Sequence, residues 1–279
     1  MIFIIAALII LIVPESAFAW GFETHISIGM SIIESTSMQI IKSNPGYFLC
    51  GNIFPDLFNL FRDFSDFKKS LPTHSWQTVS KLFKNCETDE QKAFTYGYCA
   101  HLSADVIAHN HLVPQHLTYI GKGRMRSHLL LEMAEESMHH NKYNKKLIQL
   151  LTDSPTYGEV FLRTMGINKE WFAREAAAIK LGVLSQKHLK VHDITRFIKT
   201  RAQSGFAEKC DHFREVALEQ ATRAVEHGFD HLEERDPSGK ENMEKANEVR
   251  KELLKKHKRK ELKKEFEENV DQKHFPLAE

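Results

Sequence analysis

The chain has 279 residues, 38 of them basic and 37 acidic, for a formal net charge of +1, and 42% are hydrophobic. That length accommodates one sizeable core without a second domain, and the balanced charge excludes a polyanion-binding surface spread over the whole molecule. Four cysteines at irregular spacing, with no CxxC, leave both disulfide pairing and buried free thiols open, whereas 16 histidines exceed what packing requires.

The chain starts with the apolar run IFIIAALIILIV, about a dozen positions and too short to cross a bilayer as a helix. Ala17 and Ala19 place small side chains where a signal peptidase needs them, so residues 1–19 read as a signal peptide and the mature chain starts at Trp20. No Lys or Arg precedes the run, which keeps an uncleaved anchor as the alternative. The expected location is periplasmic or secreted.

Helical periodicity dominates the chain after Trp20, and no two-residue alternation runs for long. The spacing predicts a helix from Thr24 to about Ser43, ended by Asn44-Pro45-Gly46, and a turn-rich passage from Phe48 to Phe61. One long helix is expected from Asp89 to Leu112, with Pro114 just beyond it, and another from Arg126 to His139. Amphipathic pieces come next near 144–152, 155–165, 169–181 and 207–233. Asp236-Pro237-Ser238-Gly239 breaks the pattern. After it comes a highly charged segment with sparse apolar positions at Val249, Leu253, Leu262, Phe266 and Val270, read as a solvated helix docked by a narrow stripe. Contact of this helix with anionic headgroups is the sharper alternative, weakened by its interleaved Glu residues. The expected fold is all-α: a single multi-helix domain over 20–235 with a charged helical extension over 236–279.

Within the long helix, His101, Asp105 and His109 are four residues apart and project from nearly the same face. Imidazole and carboxylate donors on a rigid helix suit borderline Zn²⁺, although an ordinary polar face is the plain alternative. His111 is a rival to His109 and would reach the same place only if the helix loosened before Pro114. His128 and Glu132 share a face of the next helix at i,i+4. His74 lies in the loop Thr73-His74-Ser75-Trp76, and Asp56 follows Pro55 in Asn52-Ile53-Phe54-Pro55-Asp56.

In order, these motifs resemble the zinc-dependent phospholipase C family, which includes bacterial phosphatidylcholine-preferring phospholipase C and the N-terminal domain of glycosylphosphatidylinositol-specific phospholipase D. Single-strand-specific zinc nucleases are more distant relatives. The resemblance is carried by THxxIG at Thr24–Gly29, GxxFPD at Gly51–Asp56, THxW at Thr73–Trp76, FxxGxxxHxxADxxxH at Phe94–His109 and HxxxE at His128–Glu132. It implies an all-helical cleft with two to three zinc ions. Asp56, His74, His101 and Asp105 would hold the first. His128, Glu132 and either His109 or His111 would hold the second, His109 being favoured because its geometry needs no helix distortion. The third would take His25 together with the free amine and carbonyl of Trp20, with Asp105 bridging to the first.

The implied chemistry is hydrolysis of phosphodiesters, most directly in phospholipids, with Asp56 as the catalytic carboxylate and transient contact with a membrane surface. A nuclease is the enzymatic alternative. Against it, Val-Ile-Ala-His stands where the nucleases carry Gln-Pro-Leu-His, and no broad basic groove is evident, so nucleic acid is not the expected partner. A non-catalytic zinc-binding helical protein is the alternative from another class, and no protein partner is expected. His227 and His231 read as a wet helix face, and Cys99 as a core residue turned away from the ligands. Trp76 and Phe54 could line an acyl or glycerol pocket, or could simply pack.

Overall fold

The computed structural model describes residues 20–61, 71–120, 135, 142–186, 206–256 and 275–277. His128 and Glu132, the helix expected around them apart from Glu135, the leader 1–19 and the apolar positions Leu262, Phe266 and Val270 lie outside the described residues. The described chain is all-α, with no strand among its residues.

The N-terminal helix, α1, spans Phe22–Ser35 and stops earlier than its periodicity suggests. Thr36 turns extended, and its hydroxyl accepts the Met38 N–H while bonding Glu226, so the polar Ser-Thr-Ser run breaks the helix. A short helix α2 (Gln39–Ser43) comes next, and Pro45 then opens a helix instead of ending one. Proline at the first helical position gives up only an N–H that has no intrahelical partner. The passage expected to be turn-rich is therefore two short helices, α3 (Pro45–Gly51) and α4 (Phe54–Leu60), separated by Asn52-Ile53.

Next come α5 (Trp76–Asn85) and the central helix α6 (Asp89–Ile107). The Thr88 hydroxyl caps α6 by accepting the Gln91 N–H, and Asp89 and Glu90 complement its N-terminal dipole. From Ala93 to Ile107 only Tyr96 is not buried, so α6 is enclosed on all sides. The chain does not stop before Pro114. A π-helical stretch (Ala108–Leu112) leads into α7 (Val113–Ile120), where Pro114 sits in the first turn. The remaining helices are α8 (Asn144–Tyr157), α9 (Glu159–Met165), α10 (Lys169–Gln186), α11 (Phe206–His227) and α12 (Lys240–Lys256).

Helix α6 is held between α3 and α11. Against α3 the approach is glycine on glycine: a Cβ on Gly51 would collide with the Phe94 carbonyl, and one on Gly97 with that of Phe48. Against α11 the facing residues are also small, Ala100 and Ala104 meeting Ala217 and Ala221 in one apolar cluster. A second cluster, centred on Phe54, Phe58, Phe94, Phe161 and Phe172, fills the space beside α4, and each buried ring contributes about 2–3 kcal/mol. Phe54 is thus fully enclosed within this cluster. The charged helix α12 docks on α7 through a narrow stripe, Met243 and Ala246. All four cysteines are free thiols. Among the described residues no helix is long and apolar enough to cross a membrane.

Candidate metal centre

The site is built on α6. His101 and Asp105 project from one stripe of this helix, fully buried, and Asp105 Oδ2 lies 3.2 Å from His101 Nε2. Asp56, in the first turn of α4, and His74, in the loop before α5, close on the same point: His74 Nε2 is 3.3 Å from Asp56 Oδ1 and 3.3 Å from Asp105 Oδ2. His25 enters from α1, its Nε2 3.4 Å from Asp105 Oδ1 and 3.8 Å from Asp56 Oδ2, with its ring stacked on that of His101.

The rings of His101 and His74 and the backbone of His25 are each held by a neighbour. Nδ1–H of His101 donates to the Asn52 carbonyl at 3.0 Å, which leaves Nε2 facing the carboxylates. The amide of Asn52 donates in turn to the His25 carbonyl at 2.7 Å. Tyr98 on α6 donates its hydroxyl to the Thr73 carbonyl, and Thr73 Oγ1 lies 3.1 Å from His74 Nδ1, so the loop that carries His74 is tied to the helix beneath it. Thr24, next to His25, donates to the buried Glu135 carboxylate at 2.6 Å, and Arg214 stands 3.5 Å from the other Glu135 oxygen. Asn59 donates to Asp56 Oδ1 at 3.1 Å.

The electrostatics suit a dication. Among the described residues, the buried Asp105 oxygens face imidazole nitrogens alone, at 3.2–3.4 Å from His101, His74 and His25. Burial opposes charge on Asp105, yet His101 and His109 hold its carboxyl well below the usual range. Burial also works against a charged His74, but hydrogen bonds to Asp105 and Asp56 raise it to about 10. Burial and the nearby His101 lower His25, and burial lowers His109. Carboxylate oxygens and imidazole nitrogens are the usual donor types for zinc, and binding the ion would displace the proton that His74 holds in its absence. Tetrahedral ligands at about 2.0–2.1 Å from zinc stand about 3.3 Å apart, the separation found between His101, His74 and Asp105. One ligand atom from each of Asp56, His74, His101 and Asp105 lies within 4.8 Å of the others, so these residues fit one ion.

The other sequence candidates fall around this group. His109 is buried with its Nδ1 3.8 Å from Asp105 Oδ2. The helix does loosen before Pro114, but His111 lies at the backbone of Phe275 and Pro276, which it hydrogen-bonds, and burial lowers its pKa. Trp20 is fully buried, its indole N–H directed at the Ala104 carbonyl one residue before Asp105, so Trp20 lies against the site. Trp76 packs on Phe229 and donates to the Arg235 carbonyl at 2.8 Å, a structural role. His227 and His231 are exposed, and Cys99 is buried in the core. Sequence reasoning missed Asn52, Tyr98, Glu135 and the Arg235–Gly239 turn. Asn52 lay inside a recognised motif, whereas nothing local marks a main-chain carbonyl far along the chain as a histidine's partner.

An all-α domain with buried His and Asp donors converging from four segments defines a helical metalloprotein. The profile of the family described as zinc dependent phospholipase C matches residues 24–163, half of the chain, and the chain belongs to that family. No curated protein and no solved structure matches it.

Proposed function

We propose that the protein is an exported zinc-dependent phosphodiesterase that cleaves phospholipids in the manner of a phospholipase C, releasing a diacylglycerol and a phosphorylated headgroup. The observation that carries this is the convergence of Asp56, His74, His101 and Asp105 on one point in a chain of this family. Asp56, His74, His101 and Asp105 would hold one zinc; His25 and the Trp20 terminus would hold a further ion beside Asp105. Zinc would supply Lewis acidity, making water ionisable near neutral pH and offsetting the charge that builds at phosphorus.

The protein's own groups do the positioning. Asp56 is the candidate to orient water and take its proton, and Oδ2 is the available oxygen, since Oδ1 already accepts from Asn59. Asp105 stays anionic and draws His25, His74 and His101 together. His74 is 12% exposed whereas His25, His101, Asp56 and Asp105 are at 0–1%, so the cluster meets solvent on the His74 side and substrate enters there. Burial of the other groups excludes bulk water from the rest of the site and strengthens their electrostatics. Export is inferred from the Ala17/Ala19 pattern, with cleavage before Trp20. The test is to incubate the zinc-loaded mature protein with phospholipid vesicles and with single-stranded DNA in parallel. Release of diacylglycerol supports the proposal, and cleavage of DNA alone moves the assignment to a nuclease.

A further inference from the structure

We propose that Thr73 and Tyr98 are positioning residues for His74: the Thr73 hydroxyl accepts the Nδ1–H of the ring, so that Nε2 is the nitrogen offered to the ion, and the Tyr98 hydroxyl ties the loop that carries both to α6. This rests on the proposed zinc site and concerns the ion shared by Asp56, His74, His101 and Asp105, all four of which lie among the described residues.

Of these four, only His74 is carried outside a helix, in the loop before α5, and only its side chain is partly exposed. A loop lacks the hydrogen-bonded frame that fixes a helical side chain, so a ligand placed there needs partners to keep it in register with the others. Here three hydroxyls serve. Tyr98 donates to the Thr73 carbonyl, Thr78 on α5 donates to the Pro72 carbonyl at 2.6 Å, and Thr73 Oγ1 lies 3.1 Å from His74 Nδ1. Thr73, Thr78 and Tyr98 are all buried, where water does not compete for these bonds.

Helix α6 thereby supplies two ligands and sets a third. Tyr98 stands one turn before His101 and two turns before Asp105, on the same stripe of one rigid helix. His74 Nε2 ends 3.3 Å from His101 Nε2 and 3.3 Å from Asp105 Oδ2, the two donors that share its support. The direction of the Thr73 bond follows from the other edge of the ring. Nε2 faces the Asp56 and Asp105 carboxylates, which only accept, and without metal they keep the ring protonated, with an N–H on each nitrogen, so Nδ1 donates to Thr73. Exchange of the Nε2 proton for the ion leaves Nδ1–H in place, and one hydroxyl holds the ring in the same orientation in both states.

The test uses the full mature chain, stripped of metal and titrated with zinc against a competing chelator, with helical content followed by circular dichroism. His74→Ala identifies the equivalent that this ring serves. Thr73→Val keeps the shape of the side chain without the hydroxyl, and Thr73→Ser keeps the hydroxyl without the methyl. The Tyr98 ring is stacked on Phe161, so Tyr98→Phe keeps that packing and removes only the hydroxyl. Thr73→Val and Tyr98→Phe should each weaken that equivalent roughly 10–100-fold at unchanged helical content, while Thr73→Ser binds as wild type does. In the Co²⁺-loaded protein, Thr73→Val should also speed the solvent exchange of one metal-shifted ring N–H resonance and leave that of His101, held by the Asn52 carbonyl, unchanged. Wild-type affinity in Thr73→Val or in Tyr98→Phe overturns the proposal and leaves the zinc site standing. A Thr73→Ser variant as weak as Thr73→Val also overturns it, by assigning the effect to packing. Wild type that takes up no zinc removes the zinc site itself, and this inference with it.

Discussion

The main-chain carbonyl of Asn52 accepts the Nδ1–H of His101 while the Asn52 side chain donates to the carbonyl of His25, so one residue orients the His101 imidazole and anchors the backbone that carries His25, on a separate helix. Asn52→Ala keeps the first bond and removes the second. Zinc affinity should fall about 10–100-fold with helical content unchanged, as for other partners of metal ligands. Unchanged affinity in a chelator-competition titration would mean that packing alone places His25.

Asp56 is asked to serve both as ligand and as proton acceptor. Asp56→Asn keeps a neutral oxygen in place but cannot take a proton, so hydrolysis of a lipid diester should drop about 10²–10⁴-fold while most zinc stays bound. Comparison of turnover with zinc content in the same preparation separates the two roles. A variant as active as wild type excludes Asp56 as the acceptor.

The fold class was legible because helical periodicity runs through the chain, and the pairing of His101 with Asp105 because they are neighbours on α6 whatever else the chain does. His74 and Asp56 could be named from their motifs, but their convergence depends on the close α3–α6 crossing that Gly51 and Gly97 permit. Element ends were less legible. Pro45 read as a terminator and instead begins a helix, since a proline in the first turn lacks only an N–H that was unneeded there, whereas at Pro114 the helix runs on through the π-helical stretch into α7. The Pro237–His109 contact left no trace in the sequence, because a carbonyl is present at every residue and only tertiary packing selects this one.

Trp20 lies buried against α6 beside Asp105, where a chain cut before it would place a free α-amine. Such an amine titrates near roughly 8 and loses its proton readily next to a dication. A mature protein carrying one extra residue ahead of Trp20 should therefore bind one zinc fewer, by metal analysis, with the Asp56/His74/His101/Asp105 ion retained. Undiminished zinc and activity would remove Trp20 from the ligand set.

Without metal, stability should pass through a maximum near neutral pH. His25 and His109 have lowered folded values, so their contribution is present above 6.5, the ordinary histidine value, and is lost as pH falls below it, where the unfolded chain takes up protons that the folded chain refuses. His74, raised to about 10, acts in the opposite sense: its contribution is complete below 6.5 and is lost as pH rises toward 10. Asp105, lowered, adds a further loss in strong acid. Denaturant unfolding of chelator-treated protein at pH 5, 6.5 and 9 should give the highest midpoint at 6.5. A midpoint that climbs steadily to pH 9 would contradict the His74 environment.

The convergence of donors on zinc is tested most directly by the metal content of the mature chain from Trp20 after dialysis against excess zinc and removal of the unbound ion. About two to three zinc ions per chain are expected, with a sharp loss in His101→Ala and Asp105→Ala. A folded, helical protein that stays metal-free under saturating zinc would contradict the assignment.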